Sequence, residues 1–224
     1  MFQERDSIRK NSLILGAVAL VTGTLLATTY LATADKIADA QRQAEQKALL
    51  EILPLEQHSN DLLMDVVPIP KQQRETLGLD RGGNIHIGRE ANGQVNALIM
   101  PAVAKDGYSG DIHMIIGIRV DGTVAGIRIT EHRETPGLGD KVELKKSDWV
   151  LAFNGKSLND PDAGNWAVKK DGGEFDQFTG ATITPRAVIN QVKKALQYFE
   201  QHKEQLLKAS QSVKALPSNS GETP

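Results

Sequence analysis

The order of apolar and charged positions divides the chain into an apolar N-terminal stretch and a longer mixed region. Residues 11–34 contain no charged side chain, and the apolar run over 13–32 is long enough to cross a bilayer as a helix. Glycines and threonines are tolerated in such a run because a helix satisfies its own polar groups. The sequence therefore predicts a single transmembrane anchor over 11–34, preceded by a polar cytoplasmic terminus over 1–10.

Two further observations bear on this anchor. Residues 32–34, Ala-Thr-Ala, look like a cleavage site, so a removed leader is the alternative to an uncleaved anchor. The apolar run exceeds the roughly 7–15 residues typical of a leader, which favours the anchor. Arg5, Arg9 and Lys10 precede the run, whereas Lys36 alone follows it closely, and this bias predicts that the N terminus is cytoplasmic.

Helical spacing continues over 35–53 in a charged, alanine-rich stretch, and we expect that helix to stop before Pro54. Residues 54–80 predict an irregular connector with a short strand near 64–69. Alternation over 111–120 places Ile112, Met114 and Ile116 on one face, and Asp121-Gly122 followed by 123–130 predicts a hairpin. Other short apolar runs predict strands at 84–88, 94–100, 149–153 and 165–168.

The last long element is a predicted helix from Pro185 to about residue 210, with Thr184 as its N-cap. Its buried stripe is predicted to be Val188, Val192, Leu196 and Phe199. The whole pattern predicts an α+β fold, an antiparallel sheet with packed helices, preceded by one transmembrane helix. The predicted parts after the anchor are a juxtamembrane helix and connector over 35–80, the folded domain over 81–209 and a disordered tail over 210–224.

Composition excludes several classes of function. The formal net charge is −2 and the basic residues are scattered, so a nucleic-acid partner is not expected. The chain has no cysteine, which excludes disulfides, thiolate-bound iron–sulfur clusters and thiol catalysis. The five histidines have no metal-binding spacing, and we predict neither a metal site nor a catalytic triad. Redox chemistry would therefore belong to an organic cofactor or to a non-thiolate metal.

The most informative motif is the heptapeptide over 176–182, which directly precedes the last predicted helix. It reads Asp176, Gln177, Phe178, Thr179, Gly180, Ala181 and Thr182. Gly180 can take a positive φ, so the backbone can close around an anion, and Thr182 lies where helix N–H groups converge. The motif predicts a phosphate site at Thr182; the alternative is an ordinary loop followed by a helix cap.

This heptapeptide resembles the flavin-transferase acceptor motif, Asp-x-x-(Ser/Thr)-Gly-Ala-Thr, of a family of FMN-binding domains. The family occurs in Rnf-type electron transport complexes and in sodium-pumping NADH:quinone reductases. The resemblance implies that Thr182 carries FMN as a covalent phosphoester and that Asp176 is required by the transferase. Thr179, Gly180 and Ala181 would then form the turn, with threonine at a position where serine is also common.

A second loop, over 131–141, contains a Glu-Thr-Pro-Gly-Leu-Gly segment that resembles the same family. In this loop Glu134 and Thr135 are expected to present polar groups to the flavin and Leu138 to cover one ring face. Backbone amides beside Gly137 and Gly139 are expected to approach the ring closely. A plain surface turn is the alternative. Lys169 is expected either to meet the phosphate or ring or to be a surface charge. His132 is expected to be solvated, the alternative being a residue that moves a proton near the flavin. Trp149 is expected to lie in the core and not to stack on the flavin.

The similarity covers roughly residues 100–200 as well as the anchor. It implies a flavoprotein subunit that transfers electrons in a complex coupling ferredoxin and NAD(H) to ion translocation. The implied partners are the other Rnf-type subunits, the membrane and a flavin transferase for maturation. The implied location is the bacterial inner membrane, with the soluble domain on the periplasmic side. A tethered or released periplasmic flavin carrier, or a sensory module outside such a complex, is the alternative.

Overall fold

A computed structural model describes residues 2–214 of the chain, with side chains described over 8–212. Helix α1 runs continuously over Phe2–Ile52 and so ends before Pro54, as predicted. The chain divides into two compact units, Met1–Glu45 and Gln46–Pro224. The second unit begins 35 residues before the predicted boundary at 81, because Ile69 and Leu77 of the supposed connector are buried in its core.

The first unit is the N-terminal part of α1. Its apolar side chains are exposed, with Leu13, Leu20 and Leu31 all above 70%. Threonine hydroxyls donate to carbonyls one turn earlier, as Thr22 does to Val18 at 2.8 Å, which satisfies them inside the helix. Among the described residues one helix is long and apolar enough to cross a membrane, and it contains the predicted anchor.

The second unit contains a five-stranded antiparallel sheet whose strands lie in chain order. The strands are β1 (Val66–Pro68), β2 (Asn84–Arg89), β3 (Val95–Gly107), β4 (Gly110–Arg119) and β5 (Val124–Glu131). The predicted hairpin is β4 and β5, with Gly122 at φ +90° in its turn and Asp121 accepting hydrogen bonds from Thr123. β3 is longer than predicted and ends in the turn that carries Tyr108.

Alternation along β3 divides its side chains between two cores. Leu98 and Met100 point to the main core, which helix α2 (Ile183–Lys214) covers with the predicted stripe. The four stripe residues are each at most 1% exposed. Ala97 and Ile99 point to the opposite face of the sheet and a smaller core. The sheet is therefore covered on both faces.

The smaller core is made by the C-terminal turn of α1, which contributes Leu49 and Ile52, and by Leu53 directly after it. Two sheet glycines make room for it. A Cβ on Gly117 would lie 2.3 Å from Ile52 Cγ2, and one on Gly88 would lie 2.3 Å from Leu53 Cδ2. The end of α1 is thus part of the folded domain, although its sequence predicts only a juxtamembrane helix outside that domain.

The segment between β5 and α2 differs from the prediction. The run predicted as a strand at 149–153 lies in a 3-10 helix, Asp148–Phe153. Of the run predicted at 165–168, Asn165 ends the 3-10 turn Ala163–Asn165 and Val168 makes only an isolated bridge to Phe175. These apolar residues pack as an aromatic cluster rather than pairing along a sheet, and Phe153 stacks on Phe175 with ring centroids 4.5 Å apart. Short apolar runs do not reveal this choice by periodicity alone.

Helix α2 begins at Ile183, two residues before the predicted Pro185, and extends to Lys214. Arg89 is buried and donates to the Ser210 carbonyl at 2.6 Å and to Asp65, which fixes this part of the helix to the sheet. Residues 210–214, which the sequence assigns to a disordered tail, are therefore helical. Its remainder after residue 214 lies outside the described residues.

Candidate functional site

A cleft of about 230 Å³ lies where the β3–β4 turn, the loop after β5 and the start of α2 meet. We call it the Thr182 cleft. Seven predicted site residues line it, and these are Glu134, Thr135, Leu138, Gly139, Gly180, Ala181 and Thr182. Tyr108, Ile183 and Thr184 complete the lining. Residues more than 40 positions apart in sequence therefore meet at one site.

The turn before α2 has the backbone that the motif predicts. Gly180 has a φ of +81°, and the Ala181 N–H donates to the Phe178 carbonyl at 3.1 Å. A Cβ on Gly180 would lie 3.4 Å from Leu138 Cδ2, so the two loops face each other closely. Phe178 is anchored edge-on against Trp149, whose predicted place in the core is observed.

Thr182 is the residue directly before the first residue of α2, where unpaired helix N–H groups favour an anion. Arg186 follows one turn later, so both residues lie on the same helix face. Arg186 Nη1 lies 3.5 Å from Thr182 Oγ1, while Nε and Nη2 bind Asp171 at 2.6 and 2.8 Å. The sequence interpretation missed Arg186, although its four-residue spacing from Thr182 was a usable signal.

The Arg186–Asp171 contact also changes the ionisation of both groups. The hydrogen bond from Arg186 lowers the pKa of Asp171, and the same contact raises the pKa of Arg186. Both side chains remain more than one-third exposed, so their attraction is screened by water. The pair therefore fixes the position of a guanidinium beside Thr182 more than it stabilises the fold.

Glu134 is buried and makes two internal hydrogen bonds. Its Oε1 accepts from the Ser109 backbone at 2.9 Å and its Oε2 accepts from the Thr184 hydroxyl at 2.5 Å. A Cβ on Gly139 would lie 2.8 Å from Glu134 Oε2, so this position needs glycine. Glu134 therefore joins the three segments that form the cleft. Thr184 uses its hydroxyl in this link and is not the residue that caps α2.

The loop after Glu134 closes on itself. The Leu138 and Gly139 amides both donate to the Thr135 carbonyl at 3.1 Å, and Gly137 has a φ of +78°. These two amides are engaged within the loop, in contrast to the expectation that they would approach a ring. The loop lines the cleft with Thr135, Gly139 and the Leu138 side chain, which is 40% exposed.

The cleft is not lined by the remaining predicted site residues, Gly137, Lys169, Asp176 and Thr179, or by His132. Asp176 is 68% exposed in its side chain and pairs with Lys169 at 2.7 Å. Thr179 is exposed on the turn. His132 is only 10% exposed in its side chain and bonds Glu143 at 2.7 Å, so it orders the loop and is not solvated. Its Nδ1 accepts from the Glu134 backbone amide.

The rim of the cleft is apolar and open. Tyr108, Leu138 and Ile183 are 68%, 40% and 44% exposed. Large apolar side chains that stay in water around a small cleft are typical of a binding surface. A larger groove of about 710 Å³, lined among others by Leu55 and Asn96, contains none of the predicted site residues. The Thr182 cleft is thus the place where anion-binding and apolar groups converge.

Comparison with known proteins gives matches along most of the chain. Residues 1–52 match the family model described as RnfG N-terminal region, and residues 107–197 match the FMN-binding domain. The second match contains the whole Thr182 cleft. A crystal structure of Shewanella oneidensis NqrC also matches, with 23% sequence identity and a TM-score of 0.44. The match covers 70% of this chain and 75% of the NqrC chain.

Curated relatives are more similar. The G subunit of the ion-translocating oxidoreductase complex of Pseudomonas aeruginosa is 49% identical over 205 residues, covering 91% of this chain and 94% of the relative. The corresponding protein of Pseudoalteromonas atlantica, which has the same name, is 44% identical over 218 residues, covering 97% and 100%. The chain therefore belongs to the family of G subunits of ion-translocating oxidoreductase complexes and has the FMN-binding domain of that family.

Proposed function

We propose that this chain holds FMN through a phosphoester on Thr182 and transfers electrons within a membrane complex. The observation that carries the proposal is the position of the Thr182 hydroxyl, which lies at the start of α2, on the cleft and beside Arg186. A helix N-terminus and a guanidinium together suit a phosphate diester, which retains one negative charge. The residues present therefore fit the phosphate end of FMN.

The dimensions of the cleft support covalent attachment. Its volume of about 230 Å³ is below the roughly 300–1,000 Å³ of sites that retain small ligands by burial. A flavin ring would rest on the apolar rim of Tyr108, Leu138 and Ile183 and keep an edge in solvent. A covalent bond keeps such a ligand without enclosing it, and the open edge remains accessible to an electron-transfer partner.

Attachment requires a donor in which the FMN phosphate already carries a leaving group, such as a flavin dinucleotide. The Thr182 hydroxyl loses its proton to a base of the transferase, and the Oγ1–P bond forms. The bond from that phosphorus to the bridging oxygen of the pyrophosphate breaks, and the nucleotide monophosphate leaves with the electron pair. This chain supplies the acceptor hydroxyl and the turn that presents it, with Gly180 at positive φ.

When bound, FMN supplies one- or two-electron transfer. The side chains of this protein then have separate tasks. Leu138 and Tyr108 would shield part of the ring from water, and Glu134 holds the three segments of the cleft together through Ser109 and Thr184. We propose that the complex couples electron transfer between ferredoxin and NAD(H) to ion translocation, as the family resemblance implies.

A denaturing gel tests the covalent bond. We expect the protein produced together with a flavin transferase to give a band that fluoresces under ultraviolet light after full denaturation. The same amount of protein produced without the transferase should give a band that does not fluoresce. A loss of fluorescence on denaturation of the first sample would show that any flavin is held without a bond.

We further propose that α1 anchors the chain in the inner membrane with residues 35–224 on the periplasmic side. Support comes from the exposed apolar stretch of α1 and the basic residues before it. A reporter that is active only after export, fused to the C terminus, is expected to be active. Activity of a reporter that works only in the cytoplasm would contradict this orientation.

Asp176 is expected to serve maturation rather than ligand contact, because its carboxylate points into solvent and does not line the cleft. Asp176→Ala should lose most covalent flavin while the free energy of unfolding changes by less than about 0.5 kcal/mol. Lys169→Ala, which removes the other half of the same surface ion pair, is the control and should load normally. Equal loading of Asp176→Ala and wild type would remove Asp176 from the acceptor motif.

A further inference from the structure

Two cations lie near the proposed attachment point, and the structure distinguishes them. Lys169 is the candidate that the sequence analysis names, but its ammonium binds Asp176 outside the cleft at 2.7 Å. Arg186 instead reaches the acceptor hydroxyl itself, with Nη1 3.5 Å from Thr182 Oγ1. The cation placed to contact a group on Thr182 is therefore Arg186.

The guanidinium of Arg186 is held in a fixed orientation. Asp171 binds it through two parallel contacts, from Nε and Nη2, in the fork geometry that is most specific for arginine. Those contacts leave Nη1 on the side that faces Thr182. Asp171 is the last residue of the 3-10 turn Lys169–Asp171, and Gly172 caps this turn with a φ of +84°. Asp171 thus orients Arg186 from a different segment of the chain.

We propose that Arg186, oriented by Asp171, is the positioning residue for the FMN phosphate on Thr182. This inference rests on the proposed attachment at Thr182. Esterification of Oγ1, which lies 3.5 Å from Nη1, would place phosphorus one bond and the free phosphate oxygens two bonds beyond it, and so would bring those oxygens within reach of Nη1. The contact fixes the direction in which the attached flavin extends from Thr182. It therefore determines which part of the apolar rim the ring contacts.

Phosphorus NMR of the intact flavinylated protein tests this directly, because the diester is the expected source of signal. We expect Arg186→Gln to move the phosphorus resonance from its wild-type position and Lys169→Gln to leave it in place. Arg186→Lys should give an intermediate position, since a lysine keeps the charge but loses the fork. Asp171→Asn should move the resonance in the same direction as Arg186→Gln, by a smaller amount.

The rate of covalent loading gives a second measurement. Arg186→Gln should load roughly three- to tenfold more slowly than wild type, the range expected for losing one partly exposed charge-assisted hydrogen bond. Lys169→Gln should load at the wild-type rate. The inference is overturned if both variants, or neither, change the phosphorus resonance. Failure of the attachment itself is distinguishable, because the phosphorus signal of wild-type protein would then be absent or would separate from the polypeptide after denaturation.

Discussion

Thr182→Ala is expected to abolish covalent flavin completely while leaving the domain folded. The variant removes the hydroxyl oxygen that the phosphoester requires, so loss of loading should be total. The stability cost should be about 1 kcal/mol or less, because Thr182 is only partly buried and contributes at most a cap to α2. Fluorescence of the denatured protein measures the first effect and thermal unfolding the second.

Thr179→Ala is the matched control for this experiment. Thr179 belongs to the same turn, carries the same hydroxyl and is exposed, but does not line the Thr182 cleft. It should keep its flavin and its melting temperature. Undiminished fluorescence of Thr182→Ala would mean that the flavin is attached elsewhere, and equal loss in both variants would mean that the turn and not the hydroxyl is required.

A chain that begins at Pro54 is expected not to fold, whereas one that begins at Asp35 should fold. The shorter chain lacks Leu49, Ile52 and Leu53, which are 1–3% exposed in the smaller core. Burial of each such side chain contributes about 1.5–3 kcal/mol, so their loss approaches the roughly 5–15 kcal/mol that stabilises a typical domain. Circular dichroism and thermal unfolding of the two purified chains measure the difference.

An independent variant keeps this prediction testable in the full chain. Gly117→Ala places a methyl group where Ile52 Cγ2 would be 2.3 Å away, and so pushes the end of α1 off the sheet. Arg128, which donates to the Glu51 side chain at 2.8 Å, would lose that partner too.

A Pro54 chain that unfolds cooperatively at the temperature of the Asp35 chain would show that the end of α1 is dispensable for folding.

The elements that the sequence predicted well have strong local signals. The hairpin of β4 and β5 is marked by strict alternation and by Asp121-Gly122, and the buried stripe of α2 by its helical spacing. The turn at Gly180 is likewise local. The fold class, an antiparallel sheet with packed helices, follows from these signals together.

The features that were missed depend on residues far apart in sequence. Nothing near Leu49 indicates that Gly88 and Gly117 leave a hollow for the end of α1, so the sequence predicts only a juxtamembrane helix there. The residues in the 3-10 turns of the aromatic cluster show no regular hydrophobic spacing from which the turns could be predicted. The structural role of Glu134 depends on Ser109 and Thr184, which come together only in the folded domain.

The most direct test is the mass of the peptide that contains Thr182. Trypsin is expected to release residues 171–186, which contain Thr179, Thr182 and Thr184. In the flavin-loaded protein this peptide should be heavier by FMN less one water, and its fragment ions should place the addition on Thr182. An unmodified 171–186 peptide from fully flavin-loaded protein, or fragment ions that place the addition on Thr179 or Thr184, would contradict the proposed attachment.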